Sequence, residues 1–179
     1  ITNMERYSDI NLQQFDKLTY HYEEGTNKLT HIDDSKNSGI LSTDIDDQSA
    51  NNYSYDEIGQ LIGDSQEGIS NIEWTASGKI SKVLYSSGKN IWFKYDGMGN
   101  RVYKRVSNSS TDLTPEITTY VYDAKSQLMA VYENASQTDL DLTEVPLYSG
   151  GRIGMFKPSS SVDDDIAYAD EENYTRTVG

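Results

Sequence analysis

The sequence predicts an all-β fold built from consecutive antiparallel β-hairpins in a single-layer sheet. Three observations predict it. Aromatic-x-aromatic triplets, one of them with Ile in place of the first ring, recur along the 179 residues, and all but the last are followed three or four residues on by a glycine. The apolar content is low, 35% at a mean hydropathy of -0.70, and is carried by rings: 14 Tyr against 3 Phe and 2 Trp. Helical periodicity is weak everywhere. A tyrosine buries a large ring but its hydroxyl needs water or a partner, so rings lying on a half-wetted sheet suit this composition better than a thick aliphatic core.

Taken in chain order, residues 1–17 read as an extended lead-in rather than a helix. Residues 18–132 carry five copies of one motif. Tyr20-His21-Tyr22 is followed by Gly25 and Leu29, and Tyr53-Ser54-Tyr55-Asp56 by Gly59 and Leu61. Ile72-Glu73-Trp74-Thr75 is followed by Gly78 and Ile80, Phe93-Lys94-Tyr95-Asp96 by Gly99 and Arg101, and Tyr120-Val121-Tyr122-Asp123 by Ser126 and Leu128. Counted from the second aromatic, the copies are separated by 33, 19, 21 and 27 residues. The alternation puts both rings on one face of a strand. The Asp accepts hydrogen bonds from turn amides two residues on, the Gly takes the positive φ of a tight reversal, and alternation then resumes, so each copy is a hairpin. The first copy has an extra residue before Leu29 and the last has Ser126 in place of Gly, so those two turns are expected to differ from the rest.

Between and after the copies, residues 33–52, 107–116 and 133–145 are polar and acidic and read as loops. Residues 146–157 read as two short strands about a glycine kink, and 158–179 as an acidic loop ending in a strand with no return partner. The chain opens without Met or a signal peptide, which predicts a piece of something longer, its sheet continued at both ends.

A balance of 29 acidic against 15 basic residues, net -14, argues against nucleic acid or an anionic membrane as partner. No cysteine is present, which excludes a disulfide framework and a thiolate zinc site. No apolar run approaches the ~20 residues of a membrane span.

The repeated Tyr-x-Tyr-Asp-x-x-Gly-x-Leu pattern, clearest at 53–61 and 93–102, resembles the YD repeats of the Rhs (rearrangement hotspot) family, shared with toxin-complex B and C proteins and teneurins. Leu18-Thr-Tyr-His-Tyr22 with Thr26-Asn-Lys-Leu29, and Leu147-Tyr-Ser-Gly-Gly-Arg-Ile-Gly154, are similar to the stretch leading into the Rhs-associated core of bacterial members. The resemblance covers residues 18–157. It implies hairpins side by side in a long sheet that spirals into a hollow shell, in a secreted or cell-surface bacterial protein. In toxin members the shell encloses an effector; in others the repeats serve adhesion. The family's proteolytic core, with paired aspartates, is not recognisable here, so no catalytic residue is carried over.

The recurrence of Tyr55-Asp56, Tyr95-Asp96 and Tyr122-Asp123 at one place in each hairpin assigns them to turn construction rather than acid/base chemistry. Asp44, Asp46 and Asp47, and Asp163, Asp164 and Asp165, offer hard oxygen ligands for Ca²⁺, but they lack the spaced pattern of a dedicated loop and read as solvated acidity. His21 and His31 are the only histidines, and no nucleophile motif accompanies them; His21, between two tyrosines and facing away from them, reads as strand-face packing. Asn52, Asn108, Asn134 and Asn173 head formal glycosylation sequons that arise readily by chance in this composition. The rings of Tyr53, Tyr55, Trp74, Phe93, Tyr95, Tyr120 and Tyr122 are expected to pack in rows across neighbouring hairpins; a carbohydrate or peptide platform is the alternative. The resulting expectation is a non-enzymatic segment without cofactor or metal. Its partners would be the rest of the shell polypeptide or a second fragment of it, around an enclosed effector. The alternative is a surface module that binds glycan or protein.

Overall fold

A computed structural model describes residues 1–7, 14–36, 45, 47–134, 139–158, 166–169 and 175–178; for the last two runs and Phe15 the description is of the backbone. All regular structure among these residues is β. In chain order the strands are β1 (Asn3–Tyr7), β2 (Gln14–Tyr22), β3 (Leu29–Asp34), β4 (Tyr53–Tyr55), β5 (Leu61–Asp64), β6 (Ile69–Trp74), β7 (Ile80–Tyr85) and β8 (Asn90–Tyr95). They continue with β9 (Arg101–Ser107), β10 (Glu116–Tyr122), β11 (Leu128–Asn134), β12 (Leu140–Tyr148), β13 (Arg152–Phe156), β14 (Ile166–Ala169) and β15 (Thr175–Val178). No helix among the described residues is long and apolar enough to cross a membrane.

The chain divides into two compact units, Ile1–Glu73 with Val83–Ser87, and Trp74–Lys82 with Gly88–Gly179. In the first, β1, β2 and β3 form an antiparallel meander, β4 pairs with β5, and β5 with β6. In the second, β9 to β15 each pair antiparallel with the strand before. The predicted all-β hairpin architecture is the observed one.

The aliphatic core is thin. Leu18, Ile32, Ile72, Val83, Val106 and Val131 are buried, one each from β2, β3, β6, β7, β9 and β11. Burying one such side chain contributes about 1.5–3 kcal/mol, so six leave much of the stabilisation to the backbone ladder and to half-covered rings. Buried polar groups accompany them: Asp16, Asp34, Asn52, Asn90 and Ser107.

Three segment boundaries need correction. Residues 1–17 are not a bare lead-in, because β1 pairs with β2 from Asn3↔Thr19 to Tyr7↔Gln14, and Arg6 forms an ion pair with buried Asp16. All five β1 residues are exposed, so no apolar alternation announces the strand. Residues 133–145 are not a loop throughout: β11 runs to Asn134, β12 begins at Leu140, and Glu133 faces Asp141 across the ladder. Backbone pairing sets this strand while its acids stay at the surface. Pro146 fits because the β12 residues paired with β11 end at Glu144; from Val145 the recorded partner is β13. Finally, the terminal strand does have a return partner. β15 pairs with β14 from Ile166↔Val178 to Ala169↔Thr175, within what the sequence reads as an acidic loop. The glycine kink of 146–157 falls where expected, at Gly150 (φ 77°) between β12 and β13.

Candidate functional site

The YD residues build one turn repeatedly. In the second copy the Asp56 amide donates to the Gln60 carbonyl (2.9 Å) and the Gly59 amide to the Asp56 carbonyl (3.1 Å). The Asp56 carboxylate accepts from the amides of Ile58 (3.0 Å) and Gln60 (2.8 Å). Asp96 repeats this with Met98 (2.9 Å) and Asn100 (2.8 Å), and Asp123 with Lys125 and Gln127 (2.8 Å each). The Asn100 side-chain amide also donates to Asp96. That bond foremost, with the amides of Asn100, Met98 and Gly99, outweighs desolvation and holds the Asp96 carboxyl below its usual range.

Gly59, Gly78 and Gly99 take φ of 87°, 73° and 86°, as the turn reading requires. In the third copy Thr75 replaces Asp, and its hydroxyl accepts from the Lys79 amide (3.1 Å). The first turn differs as expected: Glu23 is too long for the Asp role, Gly25 takes φ 74°, and the Thr26 hydroxyl accepts from the Lys28 amide (3.1 Å). The expected difference in the last turn does not occur. Ser126 adopts φ 64° and its turn bonds match those of Asp56 and Asp96, because the carboxylate clamp fixes the loop whichever residue sits in the left-handed position.

The rings of Tyr55, Tyr95 and Tyr148 engage the preceding copy through their hydroxyls. Tyr55 donates its hydroxyl to the carbonyl of Leu29 (3.0 Å), and Tyr95 to that of Ile80 (2.8 Å). Each acceptor opens the strand after the turn of the preceding copy. Tyr148 donates likewise to Leu128 (2.9 Å). Its strand shifts register at Tyr148, as β2, β4, β8 and β10 do at Tyr22, Tyr55, Tyr95 and Tyr122, which makes Tyr148 a sixth, abbreviated copy. The flanking Leu147-Tyr148-Ser149-Gly150 carries the signal, but its missing Asp conceals the kinship. Lys28 lies over the Tyr55 ring (5.9 Å) and Lys79 over Tyr95 (5.3 Å). Within the second unit Arg101 covers Phe93 (4.2 Å) and Lys82 covers Trp92 (4.3 Å).

A second link joins turn to turn. A Cβ at Gly59 would lie 4.0 Å from Lys28 Cε, and one at Gly99 would lie 3.0 Å from Lys79 Cε. Asn100 donates to the Ser126 hydroxyl (2.9 Å). In all three cases the residue just before the post-turn strand reaches the left-handed residue of the next turn. Of the other repeat residues, Leu61, Trp74, Tyr53, Tyr120, Tyr122 and Leu128 are half-buried on their strands, while Tyr22 is more exposed and donates to the Ile1 carbonyl (2.7 Å).

Asn52 is buried, and its amide both donates to Asp64 (2.9 Å) and accepts from the Gln66 amide (2.6 Å), so in the folded chain it serves a turn rather than a glycan. Asn134 is engaged similarly, with Ile117 and Pro115. Asn173, Asp44, Asp46 and Asp163 to Asp165 lie outside the described residues. Asp47 accepts from the Asp34 amide (2.6 Å), a strand-end bond.

One cluster assembled by the fold is absent from the sequence reading. His21 and His31 face each other across β2 and β3, their rings stacked with centroids 4.2 Å apart and planes 4° from parallel. Asp33 lies two residues beyond His31 on the same face and reaches both: its Oδ2 is 2.7 Å from His21 Nε2 and its Oδ1 3.7 Å from His31 Nε2. Packing on a strand face is what the sequence indicates for His21; the partner depends on a register that the nine intervening residues do not reveal. No protein-family model and no curated protein matches this chain.

Proposed function

We propose that this chain is a non-catalytic structural segment of a secreted bacterial YD-repeat protein, its hairpins forming part of a wall around a toxin or effector. The observation that carries this reading is the repeated linkage of one turn to the next, Lys28 to Gly59, Lys79 to Gly99 and Asn100 to Ser126. Asp carboxylates that would otherwise act as acids or bases are occupied by turn amides, and the Tyr55, Tyr95 and Tyr148 hydroxyls by carbonyls of the preceding copy. Such links serve an array in which neighbouring hairpins support one another.

The test is native mass spectrometry of the full-length protein purified from its source without denaturant, combined with limited proteolysis. A polypeptide cargo that resists protease until the hairpins are unfolded supports a wall. A cargo-free protein that instead binds glycan arrays or cell-surface protein overturns it in favour of adhesion.

A further inference from the structure

We propose that His21, His31 and Asp33 bind one divalent cation of the zinc type, which staples β2 to β3. The three donor groups lie on one face of the first hairpin, and one ligating atom from each lies within 4.8 Å of the other two. In a tetrahedral zinc site with bonds of 2.0–2.2 Å, neighbouring donor atoms sit about 3.3 Å apart. The two histidine–carboxylate separations, 2.7 and 3.7 Å, bracket that value. Small side-chain rotations that tilt the parallel rings toward each other bring both lone pairs onto a common point.

The second observation is the hydrogen bonding of His31. The Thr30 hydroxyl donates to the His21 carbonyl (3.0 Å) and lies 3.0 Å from His31 Nδ1. A hydroxyl has one proton, so with it on the carbonyl, Thr30 accepts from His31 Nδ1–H. In that tautomer the lone pair of His31 is on Nε2, which lies 3.7 Å from Asp33 Oδ1, too long for a hydrogen bond. A cation between the two, a proton or a metal ion, satisfies both. Thr30 thus acts as the outer-shell partner that orients metal-ligating imidazoles in established sites.

Two imidazoles and a carboxylate select borderline ions such as Zn²⁺, Ni²⁺ or Cu²⁺ over Ca²⁺ and Mg²⁺, which prefer all-oxygen shells. His21 becomes a ligand by passing its Nε2 proton to solvent as the ion takes the place of that proton against Asp33. With three protein ligands, the fourth position is open to water, on a face where Asp33 is 50% exposed.

The test is calorimetric titration of the chelator-treated full chain with Zn²⁺, and the absorption spectrum of its Co²⁺ form. One equivalent should bind, with H31Q and D33N each weakening affinity at least ~10-fold and T30V weakening it by about 10-fold through the lost orientation. Excess Zn²⁺ should raise the unfolding temperature of the wild type by mass action and leave that of H31Q unchanged. Absence of Zn²⁺ binding by the wild type overturns the proposal, as does binding within about threefold of wild type in both H31Q and D33N, which would place the ion elsewhere. Should the variants fail to fold, wild-type NMR decides. Joint Zn²⁺-induced shifts of the His21 and His31 ring protons support the site, and unmoved ring protons overturn it.

Discussion

The turns at Asp96–Asn100 and Asp123–Gln127 share their hydrogen bonds but differ at the left-handed position, Gly99 in one and Ser126 in the other. Left-handed backbone costs a non-glycine residue about 1–2 kcal/mol, yet the serine turn keeps the same geometry. Two things hold it there. The Asp123 carboxylate ties down two amides, and the Ser126 hydroxyl accepts from Asn100 of the neighbouring turn. The first turn is the converse case: it keeps a left-handed glycine, has Glu23 in place of Asp, and runs one residue longer. The difference teaches that a short side-chain acceptor at the head of the turn, the carboxylate of Asp123 or the hydroxyl of Thr75, holds the loop, while the glycine lowers its strain.

The largest effect should come from giving the glycine turn the side chain that the serine turn carries. Gly99→Ala combines φ of 86° with a Cβ 3.0 Å from Lys79 Cε, the movable end of a long side chain, and should destabilise by about 1–2 kcal/mol in urea unfolding. Gly78→Ala, with open space around its Cβ, should cost only the strain, about 1 kcal/mol. Equal losses in the two variants would remove the Lys79 contact from the argument. Asp123→Ala should cost about 1 kcal/mol, and Asp123→Asn less, because an amide oxygen still accepts. If Ala and Asn behave alike, the clamp is not what shapes the turn.

Smaller still is Ser126→Gly, which should change stability by less than about 1 kcal/mol, relief of strain being offset by loss of the Asn100 bond. Asn100→Ala should be felt with Ser126 present and much less in the Ser126→Gly background, a coupling that a double-mutant cycle reads directly. The smallest effect is in acid. Asp96 titrates below its ordinary range in the folded chain, so its contribution is present at neutral pH and is lost as pH falls below the unfolded value and through the folded one. NMR titration should show the Asp96 carboxyl moving up toward the ordinary range in Asn100→Ala, since the Asn100 side chain is the principal cause of its depression.

The hairpins and their glycines were legible because their determinants are local: two alternating rings, an acid and a left-handed residue lie within seven positions of one another. Links between copies were not. Asn100 meets Ser126 across 26 residues, and Tyr148 meets Leu128 across 20, through registers that depend on a bulge in each strand. The same blindness hid His21 opposite His31. The β1 strand is concealed because all its residues are exposed, and β14 and the first half of β12 because acidic neighbours mask short alternations, whereas the terminal strand β15 is legible. Composition likewise does not reveal the contacts that tie Tyr55 and Tyr95 to the preceding copy, hydroxyl to carbonyl and lysine to ring.

The links at the opposite end of the strands from the Asp turns are of unequal length: residues 65–68 between β5 and β6, and 108–115 between β9 and β10. The Asp turns beside them do not change to suit. One margin of each hairpin is therefore standardised and the other is free to vary, like shelving with a fixed bracket and an open front. Insertions, epitope tags or recognition peptides placed at 108–115 should leave the bracketed side in register, so new surface properties can accumulate there by simple lengthening of the chain.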